Sequence, residues 1–386
     1  MKRRIAYISS PYLADSDIPL LNELQPKTDL DYILLLSEKS KNRMLVNVKV
    51  LKPKGGVFPM TDYVDLQNLS KYIDPNCAYV VNMPGRHDWS LRNLSAMFSL
   101  VRFLYKRHYD ILHLTWPPRY GAFPLYLLRH RMLLTMHDPL PHSSEDTNLN
   151  RFHRKIAMRL VPHFVLLNRF QRKDFIKKYC LHENQVFESR LGVYHYLNSI
   201  PPIFPDTQGY ILFAGSISIH KGVDYLCQAM QTVHQRHPEL KLIVAGKGHL
   251  YFNVGPYLKA GFLELQNRYL SDAELVGFIQ NAKFVVCPYV DATQSGIIMS
   301  AFALSKPVIA TNVGGLPEMV TDGRHGLIVP PKDADALASA IERLLISPDL
   351  IQQMRDNIRH DYDEASRSWR YIAEQLVNNV YSKLST

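Results

Sequence analysis

The 386-residue chain has only four cysteines, Cys77, Cys180, Cys227 and Cys287, scattered with no C-x-x-C pair. That spacing excludes a disulfide framework and a cysteine zinc site, and it fits reduced thiols in a cytoplasmic protein. No run approaches the roughly 20 uninterrupted apolar residues that span a bilayer. The basic start Met1–Lys2–Arg3–Arg4 leads into an apolar segment, Ile5–Ser9, too short for a signal sequence. No G-x-G-x-x-G follows Ile5–Ile8, which disfavours a dinucleotide oxidoreductase. Asp-x-Asp at Asp15–Asp17, Asp333–Asp335 and Asp361–Asp363 does not close an expected strand, so the reading assigns no metal and no cofactor. Nucleic-acid motifs are absent too. The formal charge of +10 is therefore assigned to an anionic membrane surface or an acidic ligand, with no nucleic-acid partner.

Hydrophobic content of 46% and charged content of 21% are those of an ordinary globular protein, and the length allows two domains with separate cores. Apolar runs alternate with helical patterns along both halves. Lys2–Ser9, Tyr32–Leu36, Val46–Val50, Asp110–Leu114, Arg131–Met136 and Phe164–Leu167 read as strands of the first half. Tyr210–Ala214, Leu240–Ala245, Phe284–Val286 and Lys306–Thr311 read as strands of the second. Such alternation predicts an α/β protein with two doubly wound parallel sheets. A linker near Leu197–Gln208, carrying Pro201, Pro202 and Pro205, divides a domain of residues 1–200 from one of residues 209–368, and a last helix covers residues 369–386.

The stretch Pro288–Glu318 organises the second half. A strand ends at Cys287–Pro288, a polar loop follows, and Ile297, Ile298, Ala301 and Phe302 recur at helical spacing. Thr293, Gln294, Ser295 and Gly296 carry little bulk at this helix start, so first-turn N–H groups and the helix dipole favour an anion there, typically phosphate. Gly246–Lys247–Gly248 is a weaker phosphate signal. Ser271–Asp272–Ala273–Glu274 has the spacing of a capping box.

In the first half, His137–Asp138 follows a strand end, where parallel sheets place their ligand crevice. Asp138 is read as holding the imidazole or capping the turn. Asp15 and Asp17 stand in the loop before a helix expected over Ile18–Leu24; they are read as contacts for acceptor hydroxyls, or one of them as an N-cap. The segment Ser95–Tyr105 has apolar residues at helical spacing and a basic end, and reads either as a helix packed on the sheet or as a surface for anionic lipid. Arg102, Lys106, Arg107, Arg151, Arg154 and Lys155 make up that basic surface.

From Tyr210 to about Ala340 the motifs resemble the C-terminal domain of GT-B glycosyltransferases, most closely the family 4 group. The loop G-S-I-S-I-H-K-G, Gly215–Gly222, is similar to the family's G-R-L-x-x-x-K-G, with Lys221 on the family lysine and Ser216 on its arginine. Thr293–Gln294–Ser295–Gly296 looks like a T-Q-S-G variant of the donor loop. The family's paired glutamates, which bind donor sugar and ribose, fall on Ala292 and Ser300. The resemblance implies two Rossmann-like domains facing across a cleft, with a nucleotide-sugar donor as substrate and not as cofactor. It places the donor phosphates on Lys221, Gly215, Ser216, Thr293, Gln294, Ser295 and Gly296. The nucleobase and ribose fall on Asn267, Arg268, Tyr269 and Ser300, and the acceptor lies near Asp15 and Asp17. T-M-H-D-P-L-P-H resembles the segment in which a histidine touches the donor sugar, a role that falls on His137. The implied reaction is sugar transfer to an acceptor hydroxyl with retention, in polysaccharide or lipid-linked glycan synthesis, by a cytoplasmic enzyme peripheral on the membrane's inner face. The final helix is expected to cross back onto the first domain. The loss of both glutamates and of the loop arginine motivates one alternative, a nucleotide-sugar-binding protein without transferase activity.

Overall fold

A computed structural model describes residues 2–37, 46, 48, 53–65, 69–87, 89–140 and 148–384. Most of the expected strand Val46–Val50, and Pro141–His142 of the T-M-H-D-P-L-P-H segment, lie outside them. The chain forms two compact units, Met1–Leu191 with Trp369–Thr386, and Gly192–Ser368.

The first unit holds eight strands: β1 (Arg4–Ser9), β2 (Asp29–Ser37), β3 (Gly56–Pro59), β4 (Ala78–Met83), β5 (Ile111–Leu114), β6 (Met132–Met136), β7 (His163–Leu166) and β8 (Val186–Glu188). Their order is β3-β4-β2-β1-β5-β6-β7-β8, parallel except where β3 meets β4. Its helices are α1 (Ala14–Leu24), α2 (Leu91–Arg107), α3 (Asn148–Leu160) and α4 (Arg172–Tyr179). β2 reads as a nearly continuous apolar run, D-L-D-Y-I-L-L-L-S, because a parallel strand with helices over both faces is buried on both sides. Ala373, Leu376, Val380 and Tyr381 of the C-terminal segment join the core with Ile5, Tyr7 and Ile18.

The second unit holds six strands, all parallel: β9 (Tyr210–Ala214), β10 (Lys241–Ala245), β11 (Leu263–Gln266), β12 (Val285–Cys287), β13 (Val308–Thr311) and β14 (Gly326–Val329), ordered β11-β10-β9-β12-β13-β14. Helices α5 (Val223–Arg236), α6 (Gly255–Lys259), α7 (Asp272–Asn281), α8 (Gly296–Ala303) and α9 (Leu316–Met319) lie between the strands, and α10 (Ala334–Leu345) and α11 (Pro348–Arg359) follow β14. The last helix, α12 (Trp369–Asn379), belongs to the first unit. α7 opens with the expected capping box between Ser271 and Glu274.

The expected linker, Leu197–Gln208, packs with the second unit. The Ile203 N–H donates to the Ala273 carbonyl at 2.9 Å, and a Cβ at Gly277 would stand 2.0 Å from the Ile203 carbonyl oxygen. The prolines stop this segment joining a regular element but leave its carbonyls and remaining N–H groups free to dock.

Strand order also locates the ligand crevices. Each sheet reverses its winding once, between β1 and β5 in the first unit and between β9 and β12 in the second. In open parallel sheets ligands bind beyond the carboxyl ends of the strands at that reversal.

Candidate functional site

In the second unit the loops after β9 and β12 are stitched together by backbone. The Val290 N–H donates to the His220 carbonyl at 2.8 Å, and a Cβ on Gly222, whose φ is +61°, would stand 2.1 Å from the Pro288 carbonyl oxygen. Gly246 lies just as close to Gly215: its φ is +145°, and a Cβ there would sit 1.9 Å from the Gly215 carbonyl oxygen. Gly248 pairs with Ile217 in a short parallel bridge. The G-K-G sequence thus braces the Gly215–Gly222 loop, and close backbone approach accounts for its glycines.

Lys221 leans over Tyr289, its Nζ 3.6 Å from the ring centroid. Burial pushes its ammonium below the ordinary lysine range, while Cys287 and Asp291 pull it back up. Among the described residues no carboxylate pairs with it. A half-buried cation resting on an aromatic face, with no carboxylate in salt-bridge contact, gains when an anion arrives, because that anion replaces lost hydration.

α8 begins at the same place. Ser295 is its N-cap: its Oγ accepts from the Ile298 N–H at 3.4 Å and shares a hydrogen bond with Tyr289 Oη at 3.2 Å. The Ser295 carbonyl takes the Met299 N–H, which leaves the Gly296 and Ile297 N–H groups at the helix start. Gln294 contributes a buried Nε2 with no hydrogen-bond partner. Thr293 is buried and Ser216 is exposed. Ser300 is buried and donates to the Gly296 carbonyl at 3.0 Å, so its hydroxyl serves its own helix. Gly314, φ +51°, gives the loop room, since a Cβ there would stand 1.6 Å from the Ala292 carbonyl oxygen.

The expected base-covering residues are placed differently from one another. The Asn267 side chain accepts from the Gly248 N–H at 3.0 Å and donates to its carbonyl at 3.1 Å. Arg268 pairs with Glu274 at 2.7 Å, and that arginine together with the Ser271 cap holds the Glu274 carboxyl down to about 2. Tyr269 is 74% exposed. Asn267 and Arg268 hold the loop, and Tyr269 presents the free ring.

In the first unit α1 starts four residues earlier than expected, at Ala14, with Leu13 at the N-cap position, so neither Asp15 nor Asp17 caps it. Asp17 turns inward and accepts from Tyr7 Oη at 2.9 Å and from Ser9 Oγ. Burial raises its carboxyl to about 7 against the lowering effect of these two donors. His113 bridges Tyr381 Oη and Thr135 Oγ1, each at 2.7 Å, and burial lowers its imidazole to about 3. His137 follows β6, half-buried, with Nε2 shielded and unpartnered and its imidazole lowered by burial to about 4. It shares with Asp17, His113 and Thr135 a cavity of about 20 Å³, room for one water. The Asp138 carbonyl accepts from Arg154 at 2.7 Å.

Two members of the expected basic surface are spent inside. Arg154 anchors the loop after β6, and Arg107 pairs with Asp31 at 2.9 Å while stacking on Tyr79 and Phe103. Arg102 and Lys106 of α2 are exposed, as are Leu91, Phe98 and Tyr105 of the same helix, and Arg151 and Lys155 of α3 are exposed too. No helix among the described residues is long and apolar enough to cross a membrane.

Sequence reasoning missed Tyr289, Tyr194 and the Tyr7–Asp17–His113 cluster. A Cβ on Gly296 would stand 3.3 Å from Tyr194 Oη, a contact that no motif spacing announces.

Residues 208–347 match the model of glycosyl transferases group 1. A stretch of 180 residues is 31% identical to an uncharacterized glycosyltransferase of Methanocaldococcus jannaschii, covering 45% of each chain. The chain thus spans about half the length of that curated relative. Two solved structures align over nearly the whole chain and share its fold. One is sucrose-phosphate synthase from Thermosynechococcus elongatus, with TM-score 0.67, 18% identity and 99% of both chains covered. The other is HepE of Anabaena in complex with UDP-glucose, with TM-score 0.65, 14% identity, and 98% and 99% covered. This chain therefore has the GT-B fold, and its second unit carries a glycosyl transferases group 1 domain.

Proposed function

We propose that this protein is a glycosyltransferase that moves a sugar from a nucleotide-sugar donor, held by the second unit, to an acceptor hydroxyl held by the first. The observation that carries the reading is the anion-ready corner of the second unit. Lys221 lies on Tyr289 without a carboxylate partner, next to the α8 N-terminus and the unpartnered Gln294 amide. A structure neighbour that holds UDP-glucose supports the donor class.

In the proposed reaction the bond from the anomeric carbon to the donor phosphate breaks and a bond to the acceptor oxygen forms on the same face. The acceptor proton passes to the departing phosphate, and configuration is retained. Lys221, Gln294 and the Gly296 amide meet the charge that develops on the diphosphate. Ser216 and Thr293 line the same loops, Tyr269 covers the base, and His137 meets the sugar as a neutral imidazole. Asp15 stays an acceptor-side group, whereas both Asp17 oxygens are occupied. The acceptor is taken as glycan or lipid-linked, at the inner face of a membrane.

Lys221→Ala tests the reading: it should weaken binding of a nucleoside diphosphate by roughly 10- to 150-fold, the worth of a charge-assisted phosphate contact. Unchanged affinity by calorimetry would remove Lys221 from the site. A second reading, donor binding without transfer, is favoured by Ala292 and Ser300 at the glutamate positions. Donor turnover by the purified protein, absent in that case, separates the two.

A further inference from the structure

An apolar cavity of the first unit opens at the winding reversal of its sheet, beyond the carboxyl ends of β1, β2, β4 and β5. Its volume is about 230 Å³, larger than the roughly 150 Å³ that takes up benzene in an engineered apolar cavity. The walls are Ile8, Leu35, Met83, Leu114, Pro117 and Leu125, and Tyr12 and Trp116 stand exposed among the lining residues. Among the described residues no carboxylate lines it, and the one charged lining residue is Arg119, whose guanidinium lies 4.7 Å from the Trp116 ring centroid.

Its buried polar groups differ in what they still offer. The Asn93 amide accepts from the Gly85 N–H at 2.8 Å and donates to the Gly85 and His87 carbonyls. Ser9 donates to Asp17. Thr115 has 0% exposure, its N–H is tied to the Ile8 carbonyl at 3.2 Å, and its Oγ1 has no hydrogen-bond partner. A buried hydroxyl left unpaired is costly unless a ligand pairs it.

We infer that this cavity holds the apolar body of the acceptor and that Thr115 Oγ1 hydrogen-bonds a single polar group on it. The acceptor is thus an amphiphile, an alkyl or aromatic aglycone bearing a hydroxyl head, and not a bare sugar. A hexose buried here would leave most of its hydroxyls unpaired, whereas a hydrocarbon body gains with each methylene removed from water. The inference rests on the transferase reading for the word acceptor, but the binding itself is independent of it.

The test is calorimetric titration of the full chain with n-octyl β-D-glucoside below its micelle-forming concentration, against methyl β-D-glucoside. Each buried methylene contributes about fourfold, so the octyl compound should bind at least about 30-fold tighter. Ala122→Trp, which fills the cavity, should reduce octyl binding to the methyl level, and Thr115→Val should weaken it about fivefold. If Ala122→Trp loses the parent's circular dichroism spectrum, Thr115→Val decides alone. Equal affinity for the two glucosides, or octyl binding untouched by the folded variants, would overturn the inference. Nucleoside diphosphate binding is measured on the same samples. Octyl binding without nucleotide binding would support the cavity while sinking the transferase reading, and nucleotide binding without octyl binding would do the reverse.

Discussion

The two units use one architecture, a parallel sheet with a single reversal, yet they finish its strand ends with different materials. In the second unit Gly215, Gly222, Gly246 and Gly314 let four loops touch backbone to backbone, and the functional groups that result are N–H groups, one lysine and one amide. In the first unit side chains fill the same place. Tyr7, Asp17, His113 and Tyr381 form a buried polar cluster, and beside it lies an apolar cavity. A backbone-built site suits a ligand part that is always the same, such as a phosphate. A site built from side chains can be reshaped one residue at a time, which suits a partner that varies.

The largest expected effect lies in the side-chain cluster. Asp17 keeps its proton in the fold to about pH 7 but gives it up near pH 4 when unfolded, so the native state binds more protons across that window. Stability of the first unit should fall by up to about 4 kcal/mol between pH 4 and pH 7 from this group alone. Asp17→Asn should flatten that slope in urea melts, and an unchanged slope would show that Asp17 does not hold its proton.

The backbone-built site should break sharply at a glycine. Gly246→Ala puts a Cβ against the Gly215 carbonyl from a left-handed backbone, and should destabilise the second unit by about 3 kcal/mol. A Thr115→Ala change at the first unit's strand ends should cost far less. Comparable costs by denaturant unfolding would contradict the contrast between the units.

His137→Ala should lower transfer rate about 10²- to 10³-fold while leaving nucleotide affinity intact, since its proposed partner is the sugar. Because its imidazole titrates near pH 4, no inflection from His137 should appear in the rate between pH 6 and 8. Equal loss of affinity and rate would move it to the phosphate site or to stability.

The smallest effects belong to the basic surface. Replacing Arg102 or Lys106 should each weaken sedimentation with anionic vesicles at low salt by about 1 kcal/mol, and Arg107 should act through stability because it is spent on Asp31. If the parent does not sediment with such vesicles, the membrane proposal fails and the transferase proposal stands.

The sequence by itself determined the α/β alternation, the strands around Ile5–Ile8 and Tyr210–Ala214 and the α8 start, because each is written in contiguous residues with a period or a helix-start pattern that local sterics require. It misplaced what depends on a neighbour. Asp17 looked like a cap because acidic residues favour helix starts, but Tyr7 and Ser9 outbid the backbone for it. Arg107 and Arg154 looked like surface because charge alone does not reveal a carbonyl or carboxylate arriving from another strand or loop. Leu197–Gln208 looked like a linker because prolines mark breaks in regular structure without saying what packs on them. Only the tertiary structure brought Thr115 to the end of β1, laid Lys221 on Tyr289 and joined Tyr381 to His113, residues 268 positions apart. Such contacts are fixed by sheet order and side-chain volume, which no local pattern encodes.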